Sequence, residues 1–526
     1  MTKLKLSIIP TSLISLSLAL LPAIAQDSDS ASGDDSQIMH VLNRITFGPR
    51  PGDFERVRKM GVQKFINQQL DPSSIPESPE VADYISGHPT LSMSTGELFQ
   101  NYGRPVVQAA LQAQAGGNND ISKKEIQKVV AQNYKKIVGD VSGEHIARAL
   151  FTPKQLEEVM TDFWFNHFNV SKDKGFDHIW VGNFEDRAIR PYALGNFRDL
   201  LGATSHHPAM LFYLDNWQNS MPGQDQAERP MARLLGAGKK RGKQGINENF
   251  ARELMELHTL GVDGGYTQDD VISLAHVLTG LSLPPLRQPI GANDVDGSGS
   301  FGYRFYPQRH DFGTKVLLGQ RIGGGGNGEE EINHALDLLA AEPATAHHIS
   351  YQLVQYFIAD DPPKGAVDAC SATFQKTRGD IKSVLRTLFA RPEFWDDKYS
   401  QTKFKSPQRF VVSSLRASDI IPTNFNPFLG YLNQAGQPLY GCLTPDGYKT
   451  TKDAWLNPDG LIKRINIATA LGVGKMPGAI GLKADPEVVM SAIGKELNSN
   501  TVAVVAKGPA QMKAALLLGS PEFMKY

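Results

Sequence analysis

Apolar residues recur every three to four positions along most of the chain, which is the spacing of an amphipathic α-helix. One such stripe ends at Asp71-Pro72 and consists of Phe54, Val57, Val62, Phe65, Ile66 and Leu70. A second lies in the Gln- and Ala-rich segment 107–138 and consists of Val129, Val130, Tyr134 and Ile137. The pattern predicts a mainly α protein with a multi-helix globular body.

Strand-like patterns are few and local. β-Branched and aromatic residues lie between glycines at 301–306 and 315–318, which predicts at most one small β-hairpin near 301–318. Three segments rich in Gly and polar residues predict long, mobile loops, at 219–246, 284–300 and 323–328.

The first residues have the pattern of an export signal. Lys3 and Lys5 precede an apolar run over 6–21, and Ala23-Ile24-Ala25 follows as a small-x-small cleavage pattern. Pro10 and several serines interrupt the run, so it is a poor membrane anchor. We predict a signal peptide over 1–25 and a protein exported to the periplasm or secreted.

The remaining chain divides into a short leader and a long body. Residues 26–37 are small, polar and acidic, which predicts a disordered leader. Residues 38–526 form the mostly helical domain and are numerous enough for two or more lobes. No stretch after the signal is apolar enough for an integral membrane segment.

Charge and cysteine content narrow the function classes. The chain has 54 Lys and Arg against 55 Asp and Glu, so no global positive field favours nucleic acid. Cys370 and Cys442, the two cysteines, could form one disulfide in an oxidising compartment or remain two buried thiols. The sequence has no GxSxG, HExxH or CxxC motif, so the usual signs of a serine hydrolase or a zinc protease are missing.

The segment 247–261 (NENFARELMELHTLG) predicts a strongly amphipathic helix that ends at Gly261. Its polar arc contains Glu248, Asn249, Arg252, Glu253 and Glu256, and His258 lies at the flank of the apolar face. One interpretation is a solvated face joined by i,i+4 ion pairs through Arg252. The other is a carboxylate cluster in a buried cleft, where Glu253 or Glu256 acts as a base or metal ligand and Arg252 holds an anion.

The same run, continued through 262–268 (VDGGYTQ), resembles the signature of the bacterial family catalogued as domain of unknown function 1800. Further blocks that resemble this family extend over nearly all of the mature chain: 43–48 (NRITFG), 163–168 (FWFNHF), 208–216 (PAMLFYLDN), 310–319, 391–394 (RPEF), 436–439 (GQPL), 445–448 (PDGY) and 520–523 (SPEF). This chain has Phe165 and Glu342 where the family often has His, and Leu281 where it often has Trp.

The resemblance implies an exported helical protein without an established activity. Genes of this family often lie beside those of a second family that resembles sulfatases, which makes a sulfatase-like protein a candidate partner. With no known catalytic motif in the sequence, the first functional hypothesis is a binding or assembly protein acting in the cell envelope with such a partner.

Two alternatives to the binding protein stay open. One is a metal-assisted hydrolase with a divalent cation, whose candidate catalytic residues are Glu248, Arg252, Glu253, His258, His310 and Asp311. Its candidate metal ligands are Glu253, His258, His310 and Asp311. The other is a buried polar network that only fixes helix packing. The cleft hypothesis further expects Arg252 to pair with Glu248 or Glu253, with His310 and Asp311 nearby.

Overall fold

The structure, a computed structural model, describes residues 35–115, 119–221, 246–285, 302–476 and 481–526. The predicted signal peptide, the leader up to residue 34, and most of the two longer predicted loops lie outside the described residues. The family motif at 247–268 and all six candidate site residues lie within them.

The described residues are mainly helical, as the apolar periodicity predicts. The α-helices of the first half are Asp35–Ile45, Asp53–Met60, Val62–Gln69, Pro79–Gly87, Thr95–Leu98, Arg104–Ala115, Asn119–Phe151, Gln155–His167, Asp177–Asn183, Phe197–His206 and Pro208–Tyr213. Those of the second half are Asn249–Glu256, Gln268–Val277, Gly328–Ala341, Pro343–Phe357, Lys364–Thr377, Ile381–Phe389, Pro392–Trp395, Pro407–Ala417, Asn426–Gln434, Lys452–Trp455, Pro458–Val473, Pro486–Ile493, Ser499–Lys507 and Lys513–Leu518.

Short segments of other helix types join the α-helices. The 3-10 segments are Pro72–Ser74, Pro89–Ser92, Arg190–Tyr192, Asn216–Gln218, Pro307–Arg309, Asp397–Tyr399, Gly494–Glu496 and Ala510–Met512. Two π-helical segments, Phe99–Gly103 and Phe184–Ile189, continue α-helices directly. Such π segments often lie at functional sites because the extra residue per turn re-aims the side chains.

The strands lie close to the predicted positions, but the predicted hairpin near 301–318 is wrong in its pairing. Arg304–Phe305 pairs with Leu281–Ser282, and Lys315–Leu317 pairs with Gln320–Ile322, both antiparallel. Leu318 and Gly319 have φ of 49° and 77°, which suits a two-residue hairpin turn. The chain therefore reverses directly after 317, and the two predicted strand segments belong to different sheets.

The fold begins slightly earlier than the sequence pattern predicts, because Asp35 is already the first residue of a helix. Its carboxylate forms ion pairs with Arg58 and with Lys495, the latter at 3.0 Å. Residues 35–37, predicted as the end of the leader, are thus held by charges from distant parts of the chain.

At the third predicted loop, the Asn327 side chain accepts a hydrogen bond from the Glu329 amide and caps the following helix.

Buried apolar side chains from Ile38 to Met524 form one contact cluster within the described residues. Two buried arginines of the Pro407–Ala417 helix connect the later part of the chain to its first helices. Arg409 donates to the carbonyl of Thr46 at 2.6 Å, and Arg416 donates to that of Gly48 at 2.7 Å.

Among the described helices, none has both the length and the apolar character that a membrane crossing requires.

Of the two alternatives for the cysteines, the structure has two free, buried thiols rather than a disulfide. Cys370 is fully buried in the Lys364–Thr377 helix, and burial raises the pKa of its thiol to about 12. A thiol with so high a pKa is protonated at neutral pH and chemically inert.

Candidate functional site

The predicted polar arc of the family motif is a partly exposed surface. Arg252 pairs with Glu248 at 3.3 Å and with Glu256 at 3.2 Å, the two i,i+4 pairs expected of a solvated face. Its side chain is 36% exposed and also donates to Gln268. The buried-cleft hypothesis is therefore wrong for Arg252.

The asparagines of the same motif bond to the backbone of a neighbouring segment. Asn247 donates to the carbonyl of Asp215 at 2.7 Å, and Asn249 donates to that of Leu214 at 3.2 Å. The Asn219 side chain accepts from the Asn247 amide at 3.0 Å and donates to Ala275 at 2.9 Å. This part of the motif fixes the backbone at 214–219 to the neighbouring helices.

Glu253 and His258 lie in different surroundings. Burial, followed by the charge of Glu256, raises the pKa of Glu253. His258 is fully buried with its ring centroid 6.0 Å from that of His167, and burial holds its pKa well below the usual range. His258 is thus a neutral side chain in a histidine cluster that also contains His348.

His310 and Asp311 belong to a third group. His310 Nδ1 donates to the carbonyl of Thr279 at 2.7 Å, and its Nε2 lies 3.2 Å from Glu331. Asp311 pairs with His276 at 2.7 Å. The six candidates of the sequence analysis are therefore distributed over three separate groups and do not form one site.

A different buried cluster brings His145, Glu158 and Glu185 together. Among the described residues, only these three His, Cys, Asp or Glu side chains place ligand atoms within 4.8 Å of one another as a group. His145 lies on Asn119–Phe151 and Glu158 on Gln155–His167, while Glu185 lies on the π segment Phe184–Ile189. The sequence analysis missed all three, because nothing in the local pattern separates them from the polar faces of surface helices.

Glu185 holds the imidazole of His145. The two carboxylate oxygens lie 3.1 and 3.2 Å from Nδ1, which donates to them. Arg190 donates to the same carboxylate at 2.9 Å and pairs with Glu158 through its other terminal nitrogen. The Tyr440 hydroxyl donates a further hydrogen bond to Glu185.

The cluster shifts the pKa values of its members in opposite directions. Burial alone lowers the pKa of His145, but the charge and hydrogen bond of Glu185 outweigh it and raise the value to about 9. Burial likewise raises the pKa of Glu185, and the charge of His145 overrides it and brings the value to about 2. For Glu158 burial prevails over the charge of Arg190, so its pKa rises to about 7. His145 is therefore a cation at neutral pH and Glu185 an anion.

The donor set of this cluster would suit a divalent metal, but its carboxylates already have cationic partners. Arg190 bonds to both Glu158 and Glu185, and protonated His145 takes the remaining side of Glu185. A metal ion would have to displace Arg190 and deprotonate His145. The contacts fit an internal ion network better than a metal centre.

The other edge of the His145 ring faces a cavity. Nε2 lies 2.7 Å from the amide nitrogen of Gln408 and 3.8 Å from Asp162, and Gln408 donates to Asp162 at 3.0 Å. All three residues line a cavity of about 70 Å³, and the Asp162 side chain is 29% exposed. Burial raises the pKa of Asp162, although the charge of His145 opposes the shift.

A second cavity, of about 320 Å³, adjoins the first, and Phe163, Asn166 and Tyr448 line both. The Asn166 side chain donates to the carbonyl of Tyr448 at 2.8 Å and accepts from its amide at 2.7 Å. Gly447 has φ of 67° and passes so close that a Cβ there would lie 2.2 Å from the Asn166 carbonyl. The segment 447–448 is thus fixed against the Gln155–His167 helix as a common wall.

The segments that carry the family resemblance meet at the first cavity. Its lining includes members of the blocks 43–48, 163–168, 436–439 and 445–448, namely Phe47, Phe163, Phe165, Asn166, Gln437, Leu439 and Tyr448. These blocks are the signal that could have located the cavity from the sequence, although they contain neither His145 nor Asp162.

Comparison with protein families gives one match. A family model described as protein of unknown function (DUF1800) matches residues 40–525, which is nearly the whole chain. Comparisons with curated proteins and with solved structures give no match. On the extent of the family match, this chain belongs to the DUF1800 family.

Proposed function

We propose that the protein is a hydrolase that transfers protons between its own side chains and a small polar ligand bound in the cavity. One observation carries the proposal. The His145 ring is held at Nδ1 by Glu185, and its Nε2 lies 3.8 Å from Asp162 at the wall of the cavity where the family blocks meet. Two titratable groups with shifted pKa values, in contact and facing one cavity, are the usual arrangement of an acid and a base.

The directions of the pKa shifts support one role for each side chain. His145, with a pKa of about 9, is protonated at neutral pH and donates a proton from Nε2 to the leaving group. Asp162, with its raised pKa, is a stronger base than an ordinary aspartate and takes a proton from the water whose oxygen bonds to the ligand as the bond to the leaving group breaks. Glu185 fixes the orientation of the imidazole and stabilises its charge. Gln408 donates to Asp162 and lies beside Nε2 of His145, and because protonated Nε2 is itself a donor, the leaving group replaces the amide nitrogen at Nε2.

The test is a panel of chromogenic esters, phosphate and sulfate esters and glycosides, with the wild type, His145→Gln and Asp162→Asn. Loss of a general acid or base should lower turnover by about 10²- to 10⁴-fold. His178→Gln is the matched control, because His178 is also buried and donates to a backbone carbonyl, that of Gly175. Thermal melts confirm that each variant is folded. A wild type that turns over no member of the panel, or variants as active as the wild type, would contradict the proposal.

The binding or assembly protein is the second candidate, and exposed apolar side chains support it. Ile462 and Ile465, on the Pro458–Val473 helix, are 57% and 49% exposed, and Leu456 just before it is 40% exposed. Apolar side chains that share a helix surface in this way suit contact with another protein. Co-purification from the cell envelope, with the wild type and an Ile462→Glu, Ile465→Glu variant, tests whether a sulfatase-like partner binds there.

Export belongs to the same candidate and rests on the pattern at 1–25. Terminal sequencing of protein recovered from the envelope or the medium should begin at Gln26 or within a few residues of it. Recovery of full-length chain in the membrane fraction would contradict export.

A further inference from the structure

Asp177 is a buried carboxylate without a partner. Its residue is fully buried at the start of the Asp177–Asn183 helix. Neither of its carboxylate oxygens has a hydrogen-bond partner among the described residues. An ionised carboxylate in this condition costs several kcal/mol of free energy, so such a group in a folded protein calls for a ligand or a proton.

A second carboxylate, that of Asp215, lies beside it. The charges of Lys174 and Asp215 both act on Asp177, and Asp215 itself has one buried oxygen, Oδ1, without a partner. Its other oxygen pairs with Lys174 at 3.0 Å, and Lys174 also donates to the carbonyl of Tyr213. Burial, together with the charge of Asp215, raises the pKa of Asp177 well above the usual range, so without a cation this carboxyl group holds a proton and its oxygens keep no other partner.

We propose that Asp177 and Asp215 bind a hard metal cation, of the class of Ca²⁺, Mg²⁺ or Mn²⁺. The free donors are carboxylate oxygens, the ligands that these ions prefer over the nitrogen and sulfur ligands of zinc or copper. The cation displaces the proton of Asp177 into solvent and takes as ligands the three buried oxygens of the two side chains that have no partner. The site is separate from the His145 cavity, whose lining contains neither aspartate.

The family motif gives this site its rigidity. Asp215 has φ of 60°, an unusual backbone conformation for a residue other than glycine. Asn247 donates to the carbonyl of Asp215, and Asn249 donates to that of Leu214, the residue before it. The two asparagines therefore hold the 214–215 backbone in the conformation that places the Asp215 carboxylate. On this account, the motif at 247–249 positions a cation ligand and does not bind the cation.

Lys174 is the natural competitor of the cation. Its side chain is 30% exposed, so the ammonium group can turn toward solvent when a cation binds. Removing this ammonium group by Lys174→Met should tighten cation binding. If Lys174 were instead the permanent counter-ion, no ion would shift the melt of the wild-type protein, in which Lys174 is present.

The experiment measures thermal melts of the full chain after treatment with EDTA, and then with Ca²⁺, Mg²⁺ or Mn²⁺ added singly. For a cation near 100 times its Kd, we expect the wild-type Tm to rise by about 2 to 5 °C. Asp177→Asn keeps the shape but cannot lose a proton to bind the cation, and it should abolish the rise. Asp53→Asn is the matched control, because Asp53 is also largely buried but pairs with Arg56 and Arg416. It should keep the rise.

Calorimetric titration of Lys174→Met with the same ions supplies a second measurement. It should show binding at least tenfold tighter than the wild type. Three results would each overturn the proposal: no ion shifts the wild-type melt, Asp177→Asn responds as the wild type does, or Lys174→Met binds no ion. If Asp177→Asn does not fold, Asp215→Asn takes its place with the same expected loss.

Discussion

Glu185 accepts a hydrogen bond from Nδ1 of His145 at 3.1 Å, and the two residues come from segments 40 positions apart. This contact decides which nitrogen of the ring is available, because Nδ1 is occupied inside the protein and Nε2 faces the cavity. It also places a positive charge in the interior at neutral pH. The chemistry proposed for the cavity and the stability of the core therefore depend on the same pair.

His145→Gln tests the charge through its pH dependence. The pKa of His145 is raised from about 6.5 to about 9, so its stabilising contribution is complete below pH 6.5 and is lost as pH rises through 9. The difference in free energy of unfolding between wild type and variant should shrink by about 3 kcal/mol between pH 6 and pH 10. Urea denaturation at each pH measures it. In the control His178→Gln, burial lowers the pKa of the histidine, so the difference should stay flat above pH 7.

Neutralising the two glutamates of this cluster should cost different amounts of unfolding free energy. Glu185→Gln leaves His145 and Arg190 without their shared anion and should cost about 3 to 5 kcal/mol of unfolding free energy. Glu158 has a pKa of about 7, so its ionised form is barely favoured, and Glu158→Gln should cost less than about 1 kcal/mol. Denaturation at pH 8 gives both values. Equal costs would show that the charge distribution described here is incorrect.

The common wall of the two cavities should not tolerate a methyl group at Gly447. A Cβ there meets the Asn166 carbonyl at 2.2 Å, and φ of 67° adds backbone strain. Gly447→Ala should cost about 3 kcal/mol or more. Gly436→Ala is the control, since Gly436 has φ of 81° but no atom within 4 Å of a Cβ, so it should cost only about 1 to 2 kcal/mol. The difference between the two melts isolates the contact with Asn166.

The buried asparagine that anchors the family motif, Asn219, should matter more for stability than the arginine of the motif. Arg252→Ala removes partly exposed ion pairs and should cost well under 1 kcal/mol. Asn219→Ala leaves the Asn247 amide and the Ala275 carbonyl without their partner in the interior, and should cost about 2 to 4 kcal/mol. Chemical denaturation of both variants provides the comparison. A destabilisation by Arg252→Ala as large as that by Asn219→Ala would reverse the assignment.

Structural features that depend on residues close together in the sequence were predicted correctly. The apolar period of three to four predicts the helices, and the i,i+4 spacing predicts both ion pairs of Arg252, which the structure confirms. Strand positions followed from composition, but strand partners did not. The partner of Arg304–Phe305 is Leu281–Ser282, whose sequence has no distinct strand pattern.

The acid–base cluster could not be predicted in the same way. Glu144 and Arg148 on one helix have the i,i+4 spacing of a solvated pair, yet the Glu144 residue is 8% exposed and His145 beside it 3%. These residues are buried because helices from elsewhere in the chain pack over them, and the sequence of one helix does not show which of its polar residues will be covered. The motif at 247–258 misled in the opposite direction. Its charged residues are close together in the sequence and so resemble a site, but the ion pair of Arg252 and Glu248 is partly exposed.

The first cavity is lined by Phe47 and also by Tyr526, whose ring lies 4.0 Å from the Arg409 guanidinium. Phe47 and Tyr526 are 479 positions apart in the sequence, so this wall forms only when the first and the last described helices have packed together. Any change that loosens the packing between these two parts of the chain should therefore disturb the cavity that contains His145 and Asp162, even when it lies far from both residues.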